Sequence, residues 1–318
     1  MSAIVFTGRT ILVLKTIQRI IVITWAAFLT DEVNAHLKAI LNEWGVYLQS
    51  PESTSVLSDD PKNGWFGENA KKAMPKFIEK FECDPTKPHY EYTFRDDFLT
   101  RPFRQRAKPV VAPDNNTVIV NACESAPYRI AENIQLRDEF WLKAQPYALQ
   151  FMMDNDPLAS QFVGGTVYQA FLSALSYHRW PPVSGTVVKT RLIEGTYYSK
   201  TLSEGNDPAG PNDSQGYIAE VATRALIFIE ADDPNIGLMC FTAVGMAEVS
   251  TCDVHVYEGQ HLAKGQQTGL FHFGGSPYCL FFRPGVNLEF DFHGQTPGLD
   301  SSNIPINARI ATAKPGKF

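Results

Sequence analysis

Residues able to do covalent chemistry gather at one place in this chain. The stretch FHFGGSPYCLFF, residues 271–282, sets two glycines and Ser276 between two apolar runs. A serine hydroxyl becomes a nucleophile once a base takes its proton. Gly274 and Gly275 leave the backbone beside it free to bend. Taken alone, Gly-Gly-Ser is a hairpin turn, and its chemistry depends on its surroundings. The other reactive residues exclude several classes. The seven histidines show no HExxH or H-x-H spacing, which argues against a metal site. The five cysteines are odd in number, widely spaced and without CxxC. They read as buried free thiols of a reducing compartment, not as a disulfide framework or a zinc knuckle. Gly164-Gly165 and Gly274-Gly275 fit neither a phosphate loop nor a dinucleotide fingerprint. No GxSxG elbow occurs, against an α/β-hydrolase.

The elements that must position Ser276 fall into two textures, and together they predict an α+β fold. The front is helical. Residues 31–49 carry Val33, Leu37, Ile40, Leu41 and Trp44 at helical spacing, with Thr30 or Asp31 as cap. Residues 51–63 read as a loop, 67–81 as a second helical stretch, and the basic run 101–108 as a solvated loop. From residue 110 onward short apolar runs alternate with turn residues, at 117–122, 165–176, 185–193, 225–231, 237–249 and 278–282. This predicts a β-rich core. The polar stretch 203–215 reads as an exposed loop. Residues 254–273 read as strand, turn, short strand, turn, strand, with Gly259, Gly265 and Gly269 at the corners, like part of a barrel-sandwich. Lys264 is expected to be an exposed turn residue, and His255 and His261 to be solvated.

The chain has 318 residues, enough for one large or two small domains. Apolar residues make up 44% and charged residues 19%, excluding a disordered or polytopic membrane protein. Lys and Arg number 28 against 34 Asp and Glu, a net charge of −6, which argues against a nucleic-acid partner. Residues 1–30 mix apolar runs with Arg9, Lys15 and Arg19. The run 20–30 is shorter than the ~20 residues of a membrane span. A core-packing helix, an interfacial anchor and a misassigned start of the gene remain open, the first and last preferred. The divisions expected are 1–30, a helical 31–109 and a catalytic core 110–318.

The run KGQQTGLFHFGGS, residues 264–276, resembles the self-cleavage region of the phosphatidylserine decarboxylases, which usually carry Leu-Gly-Ser-Thr there. EWGVYL (43–48), NACES (121–125), YHRW (177–180), FIEAD (228–232) and GMAEVSTC (245–252) resemble the fungal tryptophan-decarboxylase branch of that family. The likeness runs from about residue 31 to 305.

The resemblance implies a mechanism. Ser276 attacks the Gly275 carbonyl, the resulting ester is eliminated, and a pyruvoyl group remains at position 276. That group is the cofactor, with no metal and no PLP, and it accepts electrons as CO₂ leaves. Glu124 matches the acid of the family's acid–His–Ser triad, and His178 matches the His of its YHR. One departure stands out. The family pattern continues YHRxHxP, and its second His is the triad base. Here Trp180 is followed by Pro181 and Pro182, and that His is missing. Three outcomes are open: His178 serves both roles, His272 acts as base, or processing is slow or absent. Loss of a positioned base costs about 10²–10⁴-fold.

The expected activity is a pyruvoyl-dependent decarboxylase of a soluble amino acid, aromatic and tryptophan-like, in the cytoplasm and in secondary metabolism. The alternatives are a phosphatidylserine decarboxylase at a membrane and an unprocessed, non-catalytic relative. Assembly as a homo-oligomer is compatible with all three.

Overall fold

A computed structural model describes residues 27–104, 107–137, 147–172, 181–200 and 214–316. Most of the unusual N-terminal segment, residues 203–213 of the polar stretch 203–215 and the YHRW segment with His178 lie outside the described residues. Ser214 and Gln215, expected to be exposed at the end of that stretch, are buried, because the chain enters a helix there.

The helical front begins with α1, Asp31–Leu48. Asp31 and Glu32 sit in its first turn, where the helix dipole favours negative charge. Thr30 occupies the cap position, but its hydroxyl donates to the Ala27 carbonyl instead of capping. The buried stripe of α1 runs through Asn34, Leu37, Gly45 and Leu48, whereas Ile40 is exposed. The loop expected at 51–63 opens with a 3₁₀ turn, Pro51–Val56. The second helical stretch is two pieces, α2 (Glu68–Ala73) and α3 (Phe77–Lys80). Pro75 lies between them and has no N–H for a continuous ladder, and Lys76 takes the left-handed conformation. Next comes α4, Arg95–Leu99.

The basic run departs from the expected solvated loop. Arg101 is buried, its guanidinium lying 4.3 Å from the Phe81 ring centroid and 4.7 Å from that of Phe98. Arg104 donates to the Ile78 and Cys83 carbonyls. A guanidinium is weakly hydrated and stacks on rings, so these side chains hold the front together.

The β-rich core has twelve strands among the described residues. They are β1 (Val118–Val120), β2 (Ala126–Glu132), β3 (Thr166–Phe171), β4 (Gly185–Ile193), β5 (Arg224–Ala231), β6 (Leu238–Val244), β7 (Thr251–Val254), β8 (His261–Leu262), β9 (Gly269–His272), β10 (Tyr278–Phe282), β11 (Asn287–Phe290) and β12 (Arg309–Lys314). Seven form an antiparallel sheet in the order β2-β3-β10-β6-β5-β4-β8. β1-β12-β11 form a second sheet and β7-β9 a third, and all are open. Two further helices, α5 (Leu149–Met152) and α6 (Gln215–Val221), lie among these strands in sequence.

Side chains alternate between sheet faces, and here both faces of the large sheet are covered. Tyr278, Leu280 and Phe282 of β10 join a cluster with β1, β9 and β12. Cys279 and Phe281 join the opposite cluster with α5 and α6. Double coverage is why these strands read as continuous apolar runs and not as alternating ones.

The glycine-rich unit has the expected strand sequence. Gly259 and Gly265 take positive φ at its turns, while Gly269 opens β9. Lys264 overturns its expectation. It is buried, and its ammonium donates to the Asn115 and Val118 carbonyls at 2.8 and 3.0 Å. Four cysteines are buried, and Cys83 is half-buried.

Candidate active site

Ser276 lies where two sheets meet. β9 leaves the ribbon with β7, the chain turns through 273–277, and β10 enters the middle of the large sheet. The connection from β6 to β7 runs beside it, folded back by reciprocal bonds between Met246 and Val249. The Val244 N–H donates to the Pro277 carbonyl at 3.0 Å. Ser276 is fully buried, and its hydroxyl donates to the Val244 carbonyl and to that of Val249 at 3.4 Å. Gly274 has φ +149°, and a Cβ there would lie 3.0 Å from Val249 Cγ2. Only glycine suits that conformation and that space. Gly275 completes the turn before the serine.

His272 closes β9, four residues before Ser276. Its Nδ1 faces both Asp96 carboxylate oxygens at 3.1 and 3.0 Å, and its Nε2 faces Asp253 at 3.3 Å. Burial by itself would lower the imidazole pKa. The Asp96 and Asp253 carboxylates outweigh it, and the net shift is upward. Asp253 also meets His255 at 2.6 Å. Burial would raise its pKa, but its bonds to the two histidines hold it below the ordinary value. Asp96 also accepts from Gln49 Nε2 at 3.1 Å. His255 and His261 are exposed, as expected, each beside an aspartate.

Glu124 lies in the turn before β2, with Lys108 Nζ 3.7 Å from its carboxylate. The same turn is tied to β10, the strand that follows the serine. Tyr278 donates to Asn121 Oδ1 at 2.6 Å, and Ser125 donates to that oxygen at 3.1 Å. Burial pushes the Tyr278 hydroxyl pKa well up, so it acts as a neutral donor.

The structure therefore places Gly275, Ser276 and His272 in one segment, and joins the Glu124 turn to it through Tyr278. Among the described residues the Ser276 hydroxyl has two hydrogen-bond partners, both backbone carbonyls. His272 and Glu124 are engaged elsewhere. The described flanks of the His178 segment are Leu172, just past β3, and Pro181, whose carbonyl accepts from the Gly265 N–H at 3.2 Å.

Sequence reasoning missed Asp96, Asp253 and Tyr278 as members of this neighbourhood. Their sequence signals are weak: an acid on a short helix, an acid in a short strand and a tyrosine in an apolar run. Among the described residues no group of three His, Cys, Asp or Glu is arranged to hold a metal ion. Among them, too, no helix is long and apolar enough to cross a membrane.

Comparison with known proteins gives consistent results. A family model described as phosphatidylserine decarboxylase matches residues 96–297, and a second of the same description matches 12–74. A protein named decarboxylase iboD from Amanita muscaria is 44% identical over 276 residues, 81% of this chain and 79% of that relative. An L-tryptophan decarboxylase of Psilocybe cubensis is 38% identical over 312 residues, 91% of this chain and 70% of the relative. A phosphatidylserine decarboxylase proenzyme of Clostridium perfringens is 28% identical over 232 residues, 71% and 75% of the two chains.

Proposed function

The chain belongs to the phosphatidylserine decarboxylase family of pyruvoyl-dependent decarboxylases, and from that premise we propose that it cuts itself between Gly275 and Ser276 and then decarboxylates an aromatic, tryptophan-like amino acid. The observation that carries the cleavage reading is the placement of Ser276, fully buried behind a glycine at φ +149° where two sheets join.

These residues fit the precursor of a pyruvoyl group. Gly275 carries no side chain to obstruct approach to its carbonyl, and the serine is kept from water. The Ser276 oxygen bonds to the Gly275 carbonyl carbon as the amide C–N bond breaks, leaving an ester and a free amine. Loss of the serine α-proton then breaks the Cβ–O bond and releases the Gly275 carboxylate. Tautomerisation and hydrolysis of the remaining dehydroalanine expel ammonia and leave the pyruvoyl group. The Val244 and Val249 carbonyls orient the hydroxyl but cannot take its proton. The family's triad base, the second His of YHRxHxP, is absent here; in this reading His178, the His of YHR, takes over its role, with Glu124 as acid partner. Once made, the group supplies a ketone that accepts electrons as CO₂ leaves. The buried site excludes water and favours that charge movement.

The aromatic amino-acid substrate is supported by identity over nearly the whole chain with an L-tryptophan decarboxylase, 38% against 28% for the bacterial phospholipid enzyme. A cytoplasmic place in secondary metabolism accompanies that reading. Intact mass of the purified protein tests it. Two chains, 1–275 and 276–318, are expected, the second blocked at its N-terminus. Ser276→Ala should give one uncut, inactive chain. CO₂ release from tryptophan and not from phosphatidylserine vesicles supports the substrate; the reverse overturns it. An active wild-type chain that is never cut refutes the pyruvoyl reading.

A further inference from the structure

We infer that Asp96 and Asp253 are positioning residues for self-cleavage: they grip His272 from two sides and so fix the strand end that presents Gly274, Gly275 and Ser276. This rests on the cleavage proposed above. Three elements meet at His272. Asp96 belongs to α4 of the helical front, and Asp253 to β7. Thr251 lies opposite His272 in the register, so Asp253 is its diagonal neighbour, within reach on the same sheet face.

With a carboxylate at each ring nitrogen, the imidazole holds both protons and acts as a cationic clasp, not as a base. The groups around it fit that role. Asp253 has His255 on its far side, and Asp96 has the neutral Gln49. Asp97 of α4 turns away to Thr93. Arg95 turns away to the Trp44, Tyr47 and Trp65 rings. Gly45 of α1 packs against the neighbouring Phe273 ring, 3.1 Å from where a Cβ would sit. The clasp matters because four residues separate His272 from the serine. A misplacement of about 1 Å at a reacting centre costs on the order of 10²-fold.

The test follows cleavage of freshly translated full-length chain over a pH series on denaturing gels. Wild type should lose rate at the alkaline end, as His272 gives up its proton and releases the carboxylates. Asp96→Asn and Asp253→Asn should cut about 10- to 100-fold more slowly, with that falling limb moved to lower pH. His272→Gln should be slow with no such limb, and Asp96→Glu should recover part of the rate. The His272 titration followed by NMR in the Ser276→Ala chain should shift down in Asp96→Asn. If Asp96→Asn does not fold, the half-exposed Asp253→Asn carries the test. Wild-type rates and an unmoved limb in both Asn variants would overturn this inference and leave the cleavage reading intact. A wild-type chain that stays whole overturns both.

Discussion

Replacing Lys264 with Met removes a buried ammonium and keeps most of its apolar stem. The ammonium donates to the Asn115 and Val118 carbonyls, which tie the turn before Gly265 to the start of β1. Two charge-assisted bonds are worth about 1.5–3 kcal/mol each. Against them stands the desolvation of the ammonium. Burial lowers its pKa, and the attraction of Asp114 offsets this only in part. Methionine nearly matches the stem in volume, so the cavity term is small. The expected net loss is about 1–3 kcal/mol, because the buried Val118 carbonyl is left without this donor, whereas the carbonyl of the exposed Asn115 keeps the Val118 N–H at 3.1 Å. An exposed turn lysine would cost less than about 0.5 kcal/mol. Urea unfolding in the uncut Ser276→Ala chain reads the difference as a lower midpoint at unchanged slope. The pH dependence has a definite sign. The folded pKa lies below 10.5, so in the window beneath that value the unfolded chain binds more protons. Lys264 therefore adds stability as pH rises there, and the gap to Lys264→Met should widen. A loss under about 0.5 kcal/mol, or a gap that narrows, refutes the reasoning.

Three other outcomes are expected. Gly274→Ala should leave the chain largely uncut on denaturing gels, since φ +149° and the 3.0 Å approach to Val249 strain any side chain there by about 1–3 kcal/mol. Tyr278→Phe should destabilise by about 1 kcal/mol in denaturant unfolding. Asn121 Oδ1 loses its 2.6 Å donor but keeps Ser125. Asp156→Asn should cost about 3 kcal/mol, because its fully buried carboxylate meets Lys189 at 2.6 Å and Arg191 at 3.6 Å. Burial opposes ionisation of Asp156, but the Lys189 bond prevails and holds its pKa below 3.8. Its contribution is present above pH 3.8 and lost as pH falls through the folded value. Acid unfolding of the variant should therefore be less steep below pH 4.

Much of the fold was legible because its signals are local. A continuous apolar run such as 278–282 reports a strand covered on both faces, wherever its neighbours come from. Pro75 marks a break in the second helical stretch, although residues 67–81 are expected as one stretch. β2 was missed because Pro127, Arg129 and Glu132 dilute its pattern, and it is only part-buried past its first two residues.

For the site, the amino-acid order by itself determined the junction: Gly275 bonded to Ser276, with Gly274 supplying the turn. It also determined the substitution of Pro181 and Pro182 for the expected His. Covalent neighbours and backbone freedom are properties of the chain. Tertiary structure alone decided who faces whom. Asp96 reaches His272 across 176 positions, Tyr278 reaches Asn121 across 157, and Lys264 leaves water for two carbonyls. Those partnerships rest on side-chain electrostatics summed over burial, and burial exists only once the sheets have packed.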